Sequence, residues 1–313
     1  MTLRSLLFDN RNLRILPVDN GPRLISRPVK NSVFSFTDLQ PVTKPTLVCI
    51  SPSALQLLGI PYKEIISYTS QEIEDVESFL GGNKIIPGST LAAHVYCGHQ
   101  FGSFAGQLGD GAAMYLGEVI GLNNVRWELQ LKGAGLTPFS RTADGRKVLR
   151  SSIREFLGSE ALHYLNIPTT RAASIVTSDS TVVRDPFYDN HAAPEKCTIV
   201  SRLAPNFFRF GSFEVFKTNS DPPAPSAGNE SLKTTFLDHM LTYYPDIDST
   251  SPLGYAKFYE HVARRTASLV ARCVAASLLR SSFVATIHLL LPLPLPPSTF
   301  AHHLIAPSSS HSS

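Results

Sequence analysis

The sequence predicts an α+β fold, and three observations lead to it. A composition of 43% hydrophobic and 17% charged residues over 313 positions suits a globular protein with a core. From Leu91 to about Ser212, glycines punctuate short segments that read as strands. One clear helical pattern, about five turns long, lies within that stretch. The length allows one large domain or two smaller ones.

The first ninety residues mix short apolar runs with Pro, Ser and Asn. This pattern predicts irregular structure with short helices, such as one around Ser70 to Leu80.

A glycine-rich segment, GHQFGSFAGQLGDGAAMYLGEV, follows from Gly98 to Val119. Glycines let the backbone turn tightly and approach a ligand, and successive N–H groups in such a loop can hold phosphate oxygens. The adjoining AMYLGEV predicts a strand, so the segment would form a hairpin lid. A hairpin turn without any ligand is the open alternative.

The string WELQLK predicts a strand that ends on Lys132. The next string, RKVLRSSIREFLGSEALHYL, predicts a helix with Asp144 as its N-cap. The expected core face of this helix consists of Leu149, Ile153, Phe156 and Leu157. On a neighbouring stripe Glu155 lies among small side chains, where a partner can reach it.

A glycine loop, a strand ending in lysine and a helix carrying glutamate follow one another in the order found in protein kinases. There the lysine neutralises phosphate charge and the glutamate holds the lysine in position. Taken singly, Lys132 could be a solvated strand end and Glu155 an exposed carboxylate. Their joint order favours the nucleotide-binding interpretation.

Residues 213–250 are polar and contain prolines, which predicts a loop or insertion before a further helix at 255–272. The apolar side of that helix would carry Phe258, Val262, Ala267, Leu269 and Val270. After Arg280 the sequence has no charged residue. Prolines interrupt its apolar run, which is too short for a membrane helix.

Charge and cysteine content exclude several other classes. A net charge of +3 without a dense basic block gives no reason to expect nucleic acid as a partner. The four cysteines lie far apart without a CxxC pair, which argues against a zinc site or a disulfide framework. We expect reduced thiols in an intracellular protein, with neither a secretory signal nor a membrane partner.

Three long strings carry a resemblance to a known family. They are HVYCGHQFGSFAGQLGDGAAMYLGEV, WELQLKGAGLTPFSRTADGRKVLRSSIREFLGSEALHYLNIPTTRAASIVTSDSTVVRD and IVSRLAPNFFRFGSFEVF. With them the chain resembles the selenoprotein O family, called YdiU in bacteria, over roughly residues 1–272. The resemblance implies a protein-kinase-like fold that binds ATP in a flipped orientation. It also implies transfer of AMP to Ser, Thr or Tyr hydroxyls of substrate proteins.

The resemblance implies a division of the chain. Residues 1–90 would be an N-terminal extension of the kinase-like domain, and 91–212 its nucleotide-binding lobe. Residues 213–272 would be an insertion and the first part of the C-terminal lobe, and 273–313 a low-complexity tail foreign to the family. Only the N-terminal lobe and the start of the C-terminal lobe would thus be present.

The resemblance also assigns site residues. Gly109, Gly111 and Ala112 match the family's glycine-loop contacts to ATP, although many bacterial members have arginine where Ala112 stands. Lys132 matches the phosphate-binding lysine and Glu155 its ion-pair partner. Further nucleotide contacts match Asp144, Gly145, Arg202 and Arg209. Without the family, Arg202 and Arg209 would be taken for surface ion-pair partners.

The family's catalytic base and Mg²⁺ ligands come from TDN and DYG motifs after the helix that contains RTASLVA, and neither motif occurs in this sequence. We therefore expect no catalytic residue and no metal ligand here, although ATP and Mg²⁺ are the family's cofactors, and an inactive chain. Asp246 and Asp248 are interpreted as loop residues. A frameshift, retained intron or mis-joined gene model is the favoured explanation of the change near Cys273, and a genuine short isoform is the alternative.

Alternatives remain open for both the function and the location of the protein. A non-catalytic, pseudokinase-like ATP-binding module is the alternative to an adenylyltransferase, while an ordinary kinase is disfavoured because HRD- and DFG-like motifs are absent from the sequence. Protein substrates follow from the resemblance alone, and the oligomeric state is open. The expected compartment is mitochondrial for a eukaryotic protein and cytoplasmic for a bacterial one.

Overall fold

A computed structural model of the chain describes residues 2–276; the expected tail at 277–313 lies outside the described residues. The strands are β1 (Val18–Asp19), β2 (Phe34–Phe36), β3 (Thr46–Ile50), β4 (Ala92–His94), β5 (Cys97–Gln100), β6 (Ser103–Gln107), β7 (Ala113–Ile120), β8 (Arg126–Lys132), β9 (Lys147–Val148), β10 (Arg171–Arg184) and β11 (Ala193–Ala204). The α-helices are α1 (Arg11–Ile15), α2 (Pro52–Gln56), α3 (Tyr62–Ile65), α4 (Ser70–Leu80), α5 (Leu149–Tyr164), α6 (Phe210–Glu214), α7 (Glu230–Leu241) and α8 (Gly254–Ala275).

One large sheet organises these elements. Its strand order is β1-β2-β4-β7-β8-β11-β10-β3, with β9 added to β11, and β5 and β6 form a separate hairpin. Every pairing is antiparallel except that of β1 with β2. Helices and a mostly antiparallel sheet confirm the α+β class. The first ninety residues contribute three strands to this sheet, so they are more regular than the sequence suggested.

Helix α4 was predicted correctly, because its start is encoded locally. The side chain of Thr69 accepts a hydrogen bond from the backbone N–H of Glu72, and the backbone N–H of Thr69 donates to the Glu72 carboxylate. This reciprocal capping box satisfies two N–H groups that a helix start otherwise leaves unpaired.

Strand β8 separates two layers. Leu129 and Leu131 enter a core that includes Leu55 of α2 and Leu80 of α4. Because side chains alternate along a strand, Glu128, Gln130 and Lys132 face the opposite side. On that side Tyr115 of β7 belongs to a second core, built with Phe208, Phe236 and Met240. The charged side chains around Lys132 lie on this second side.

Helix α5 begins later than predicted, and Asp144 is not its N-cap. Its N-cap is Val148, which makes no side-chain cap bond. Lys147 and Val148 are instead paired with β11, so the backbone stays extended up to Leu149. Asp144 accepts the N–H of Arg146 at 2.9 Å and pairs with Arg184 at 2.8 Å, which holds the turn before the helix.

The predicted core face of α5 is half wrong. Leu149 and Phe156 pack against a small core containing Ala172 and Ile175. Ile153 and Leu157 are exposed, at 39% and 60%. The fully buried face of α5 carries polar side chains instead, namely Ser152, Ser159 and Glu160. Such polar burial is invisible to a pattern of apolar residues.

The region after the sheet is more helical than predicted. Helices α6 and α7 occupy parts of the expected loop at 213–250. The predicted last helix is present as α8 and continues past Cys273 to Ala275. Phe258 and Leu269 are buried as expected, whereas Ala267 and Val270 are exposed. Within the described part of the chain, no helix is long and apolar enough to cross a membrane.

A buried asparagine ties the start of the chain to its later helices. The Asn12 side chain donates to Glu128 on β8 at 2.7 Å. Its oxygen contacts His239 Nε2 at 2.6 Å and accepts from the hydroxyl of Tyr243 at 2.8 Å. The Asn12 backbone N–H donates to Glu118 on β7. One residue thus joins the N-terminal segment, the sheet and the α7 region.

Candidate functional site

Lys132 lies at the centre of the sheet. It is the last residue of β8, opposite Ala113 of β7 and Val200 of β11. Its Nζ lies 3.2 Å from both carboxylate oxygens of Glu155, which α5 places over this part of the sheet. The structure therefore brings together the lysine and glutamate that the order of motifs singled out.

Glu155 has two further cationic partners. Lys147 Nζ lies 2.9 Å from Oε2, and Arg202 Nη1 lies 3.1 Å from Oε1. Burial acts to raise the pKa of Glu155, but Arg202, Lys132 and Lys147 outweigh it and hold that pKa well below its usual range. Glu155 is therefore a carboxylate at any physiological pH.

The same environment favours the charged form of Glu155 but disfavours the charged form of Lys132. Burial lowers the pKa of Lys132 to about 8. Glu155 opposes that effect, while the positive charges of Arg202 and Lys147 add to it. An anionic ligand beside Lys132 would stabilise its charged form and raise this pKa.

A second ion pair joins the glycine loop to the residues after β11. Arg209 Nη2 lies 3.1 Å from Asp110 Oδ1, and its guanidinium stacks 4.7 Å from the ring centre of Tyr96. Asp110 also accepts from Gln130 Nε2 at 3.3 Å. Burial raises the pKa of Asp110, against the opposing charges of Arg209 and Lys132.

The charges of this cluster do not cancel. Four cations against two carboxylates leave 4 − 2 = 2 surplus positive charges. The cations are Lys132, Lys147, Arg202 and Arg209, and the carboxylates are Glu155 and Asp110. In addition, Arg202 Nε is buried and has no hydrogen-bond partner among the described residues. A surplus of cations on buried and half-buried side chains, with an unused donor, fits an anion such as a polyphosphate.

The glycine loop packs closely beside Lys132. Gly109 has a φ of +77°, and a Cβ there would overlap the ring of Phe139. A Cβ on Gly111 would lie 2.7 Å from the carbonyl oxygen of Phe139. The carbonyl of Ala112 accepts from Gly133 N at 2.7 Å, directly after Lys132. These two glycines are required by close packing.

Three consecutive amides of the glycine loop are not free, although the sequence suggested that the loop would offer its N–H groups to phosphate. The N–H of Gly109 donates to Tyr96 O, that of Asp110 to His94 O and that of Gly111 to Gly109 O. Each of these donors is already used within the loop and its neighbouring strands. The loop supplies a carboxylate, Asp110, where a cradle of amides was expected.

Asp144 and Gly145 lie in the turn before β9. Gly145 has a φ of +68°, and a Cβ there would overlap the backbone of Gly135. This packing sets the turn against the segment that follows Lys132. The carboxylate of Asp144 pairs with Arg184 of β10, so Asp144 does not belong to the group of charged side chains around Glu155.

Two members of the cluster were missed from the sequence. Asp110 stands between two glycines that had been singled out, and that position was its only signal. Lys147 had none, because its approach to Glu155 depends on the pairing of β9 with Cys197 and Thr198, fifty residues further along.

Comparison with known proteins gives the family of the chain. A family model described as "Protein adenylyltransferase SelO" matches residues 31–283. The chain belongs to this family. The match continues beyond residue 272, where the resemblance was expected to end. That expected boundary stays a prediction, and residues 277–283 lie outside the described residues.

SelO relatives from animals and bacteria are similar over most of this chain. The mouse "Protein adenylyltransferase SelO, mitochondrial" is 51% identical over 291 residues, covering 87% of this chain and 43% of the mouse protein. The human counterpart is 50% identical over 289 residues, covering 87% and 42%. "Protein nucleotidyltransferase YdiU" of Nitrosospira multiformis is 44% identical over 267 residues, covering 84% and 45%. The chain thus spans less than half the length of these curated relatives.

Among residues 2–276 of this SelO-family chain, no group of three or more His, Cys, Asp or Glu side chains could hold a metal ion. Asp248 bonds within its own loop, where it accepts from the backbone N–H and the hydroxyl of Thr250. Both carboxylates of the charged cluster are paired with cations, so neither fits as a Mg²⁺ ligand.

Proposed function

We propose that the charged cluster binds the phosphates of ATP, and that the chain contributes this site to a protein adenylyltransferase. The observation that carries the proposal is the surplus of two positive charges around Glu155 and Asp110, on side chains that are buried (Arg202) or half-buried (Lys132, Lys147 and Arg209). A kinase-like arrangement of β7, β8 and α5 is part of it, with Lys132 and Glu155 as the ion pair. Gly109, Gly111, Ala112, Asp144 and Gly145 would border the nucleotide, and the Ala112 side chain would add no charge.

The chemistry suits these cations. In AMP transfer, the oxygen of a Ser, Thr or Tyr hydroxyl forms a bond to the α-phosphorus, and the bond to the bridging oxygen of pyrophosphate breaks. The hydroxyl loses its proton and pyrophosphate leaves with added negative charge. Lys132, Arg202 and Arg209 would neutralise that charge, and donors fixed before the reaction are effective because they need no reorganisation.

The remaining chemistry is not assigned to the described residues. Mg²⁺, which the family implies, would neutralise phosphate charge when bound. Glu155 and Asp110 do not fit as its ligands or as a base for the hydroxyl proton, since cations hold both. The same pairing favours the second candidate function, an ATP-binding module that transfers nothing.

Substrates and location follow from the relatives. We infer protein substrates from the family description. A mitochondrial location is proposed because the names of the mouse and human relatives include it. The bacterial YdiU relatives make a cytoplasmic location the alternative.

Titration calorimetry with ATP tests the binding site. We expect the Lys132→Met variant to bind ATP at least about tenfold more weakly than the wild type, because a charge-assisted hydrogen bond is worth about 1.5–3 kcal/mol. Lys196→Met is the matched control, since Lys196 is an exposed lysine paired with Asp179 on the far part of the β10–β11 hairpin. Equal affinities of the wild type and Lys132→Met would refute the proposal.

Labelled ATP separates the reactions. Transfer of an α-phosphate label to an acceptor protein would establish adenylyl transfer by this chain. A transferred γ-label would indicate kinase chemistry instead. ATP binding without transfer of either label would support the module.

A further inference from the structure

Lys147 is the one cation of the cluster that neither the sequence nor the family resemblance singled out. It comes from β9, the two-residue strand before α5, and its side chain is 14% exposed, less than the 24% of Lys132. At 2.9 Å it also makes the shortest contact to Glu155 among the three cations. A lysine that served only as a solvated surface residue beside the start of α5 would be exposed and would not contact Glu155 so closely.

The three cations contact different oxygens of the Glu155 carboxylate. Arg202 lies on Oε1 at 3.1 Å and Lys147 on Oε2 at 2.9 Å. Lys132 straddles both oxygens, at 3.2 Å from each. If Lys132 turned away, each oxygen would therefore keep one charged donor. Glu155 would not be left as an unpaired buried charge, which is the costly outcome when an ion pair is broken.

We propose that Lys147 is a positioning residue that, together with Arg202, holds Glu155 in place so that Lys132 is free to contact the phosphates of the nucleotide. This inference rests on the proposed binding of ATP. It differs from the usual one-to-one pair of lysine and glutamate, in which the lysine contacts glutamate and phosphate at once. Here the glutamate would stay anchored by two other cations.

The same arrangement makes Lys147 act on Lys132 through charge. The charged groups that face Lys132 are Glu155 from α5, Lys147 from β9, Arg202 from β11 and Asp110 from the glycine loop. Removing Lys147 deletes one charge that repels Lys132. It also removes a competitor for Oε2 of Glu155, so Lys132 interacts with that carboxylate more strongly. Both changes favour the charged form of Lys132, so its pKa rises above its value of about 8.

The test is ATP titration of the folded wild type, Lys147→Gln and Lys147→Arg over a range of pH from neutral to alkaline. Wild-type affinity should fall as pH rises through the pKa of Lys132, because the uncharged amine binds phosphate weakly. At neutral pH, Lys147→Gln should bind ATP about tenfold more weakly, since Lys132 would then be the remaining cation on Oε2 of Glu155 and would have to leave it to contact a phosphate. Its loss of affinity should also begin at a higher pH. Lys147→Arg keeps a positive charge beside Glu155, so it should retain the wild-type affinity and the wild-type pH profile.

The outcomes separate the two proposals. If the wild type binds no ATP, the proposed function itself is refuted. If the wild type binds ATP and Lys147→Gln matches it in affinity and pH profile, only the role of Lys147 is refuted. Lys196→Gln is the control for the loss of a lysine at an exposed site, and circular dichroism establishes that each variant is folded.

A crystal structure of the wild-type chain with ATP tests the same point without any substitution. We expect Lys132 Nζ within hydrogen-bond distance of a phosphate oxygen, with Lys147 and Arg202 still on Glu155. Lys147 detached from Glu155 in that complex would contradict the inference.

Discussion

At the scale of single residues, Glu155 is the carboxylate that holds together the cations of the proposed ATP site. Its carboxylate is surrounded by Lys132, Lys147 and Arg202, none of which is more than a quarter exposed. Without Glu155 these charges would repel one another in a poorly solvated site. The glutamate therefore stabilises the protein and holds the three cations together, as the proposed binding of ATP requires.

The stability of the chain should depend on pH through this residue. An unfolded glutamate has a pKa of about 4.3, and the folded pKa of Glu155 is lower. Its contribution to the free energy of unfolding is therefore fully present above about pH 4.3 and is lost as pH falls towards the folded pKa. We expect Glu155→Gln to lower that free energy by about 3 kcal/mol near neutral pH. The deficit should shrink in acid, and urea unfolding at several pH values measures it.

Glu260→Gln is the control for this experiment. Glu260 pairs with Arg264 on the exposed side of α8. Loss of such a surface pair should change the free energy of unfolding by about 0.5 kcal/mol or less. A Glu155→Gln deficit that stayed constant down to acidic pH would contradict the linkage.

Among the elements, the glycine loop shows the difference between a flexible backbone and a close contact. Gly109 and Gly102 both have positive φ, but only Gly109 is packed against Phe139. A Cβ added to Gly102, at the tip of the β5–β6 hairpin, would have no heavy atom within 4 Å. The two positions therefore separate the cost of the left-handed backbone from the cost of the overlap.

We expect Gly102→Ala to lower the free energy of unfolding by about 1–2 kcal/mol, the cost of placing a side chain in a left-handed conformation. Gly109→Ala should cost more and should also weaken ATP binding, because the loop must move away from Phe139 and carry Asp110 with it. Thermal unfolding and ATP titration of both variants measure this. Equal costs at the two positions would show that the packing against Phe139 is unimportant.

What the sequence revealed of these elements depended on the range of the interactions. The alternation in WELQLK and the capping box at Thr69 are local patterns, so β8 and α4 were predictable. The order of Lys132 and Glu155 sufficed to pair them. The start of α5 was not predictable, because β9 forms only through its pairing with β11. The use of the amides of Gly109 and Asp110 was equally hidden, because their acceptors are the carbonyl oxygens of Tyr96 and His94.

On the scale of the whole molecule, Asn12 connects parts that are far apart in the chain. Its side chain is fully buried and bonded to Glu128, His239 and Tyr243. Burial, reinforced by the nearby Glu118, raises the pKa of Glu128 well above its usual range. The network is thus polar, buried and dependent on a single amide for its connections.

We expect Asn12→Ala to lower the free energy of unfolding by about 3 kcal/mol, because several buried polar atoms lose their partner at once. Hydrogen exchange should rise together in α1, in β8 and in α7, since the amide joins all three. Gln71→Ala, at an exposed position of α4, is the control. Faster exchange confined to α1 would show that the network does not couple these elements.

The same asparagine has a consequence for the synthesis of the protein on the ribosome. Asn12 and His239 are separated by 227 residues. At 5–20 residues per second, roughly 10 to 45 seconds pass between the synthesis of the two. During that interval the nascent N-terminal segment has no partner from α7 with which to close its polar network. The domain therefore completes its folding only after nearly all of its described length has been translated, and chaperones that shield nascent chains have that long to act on it.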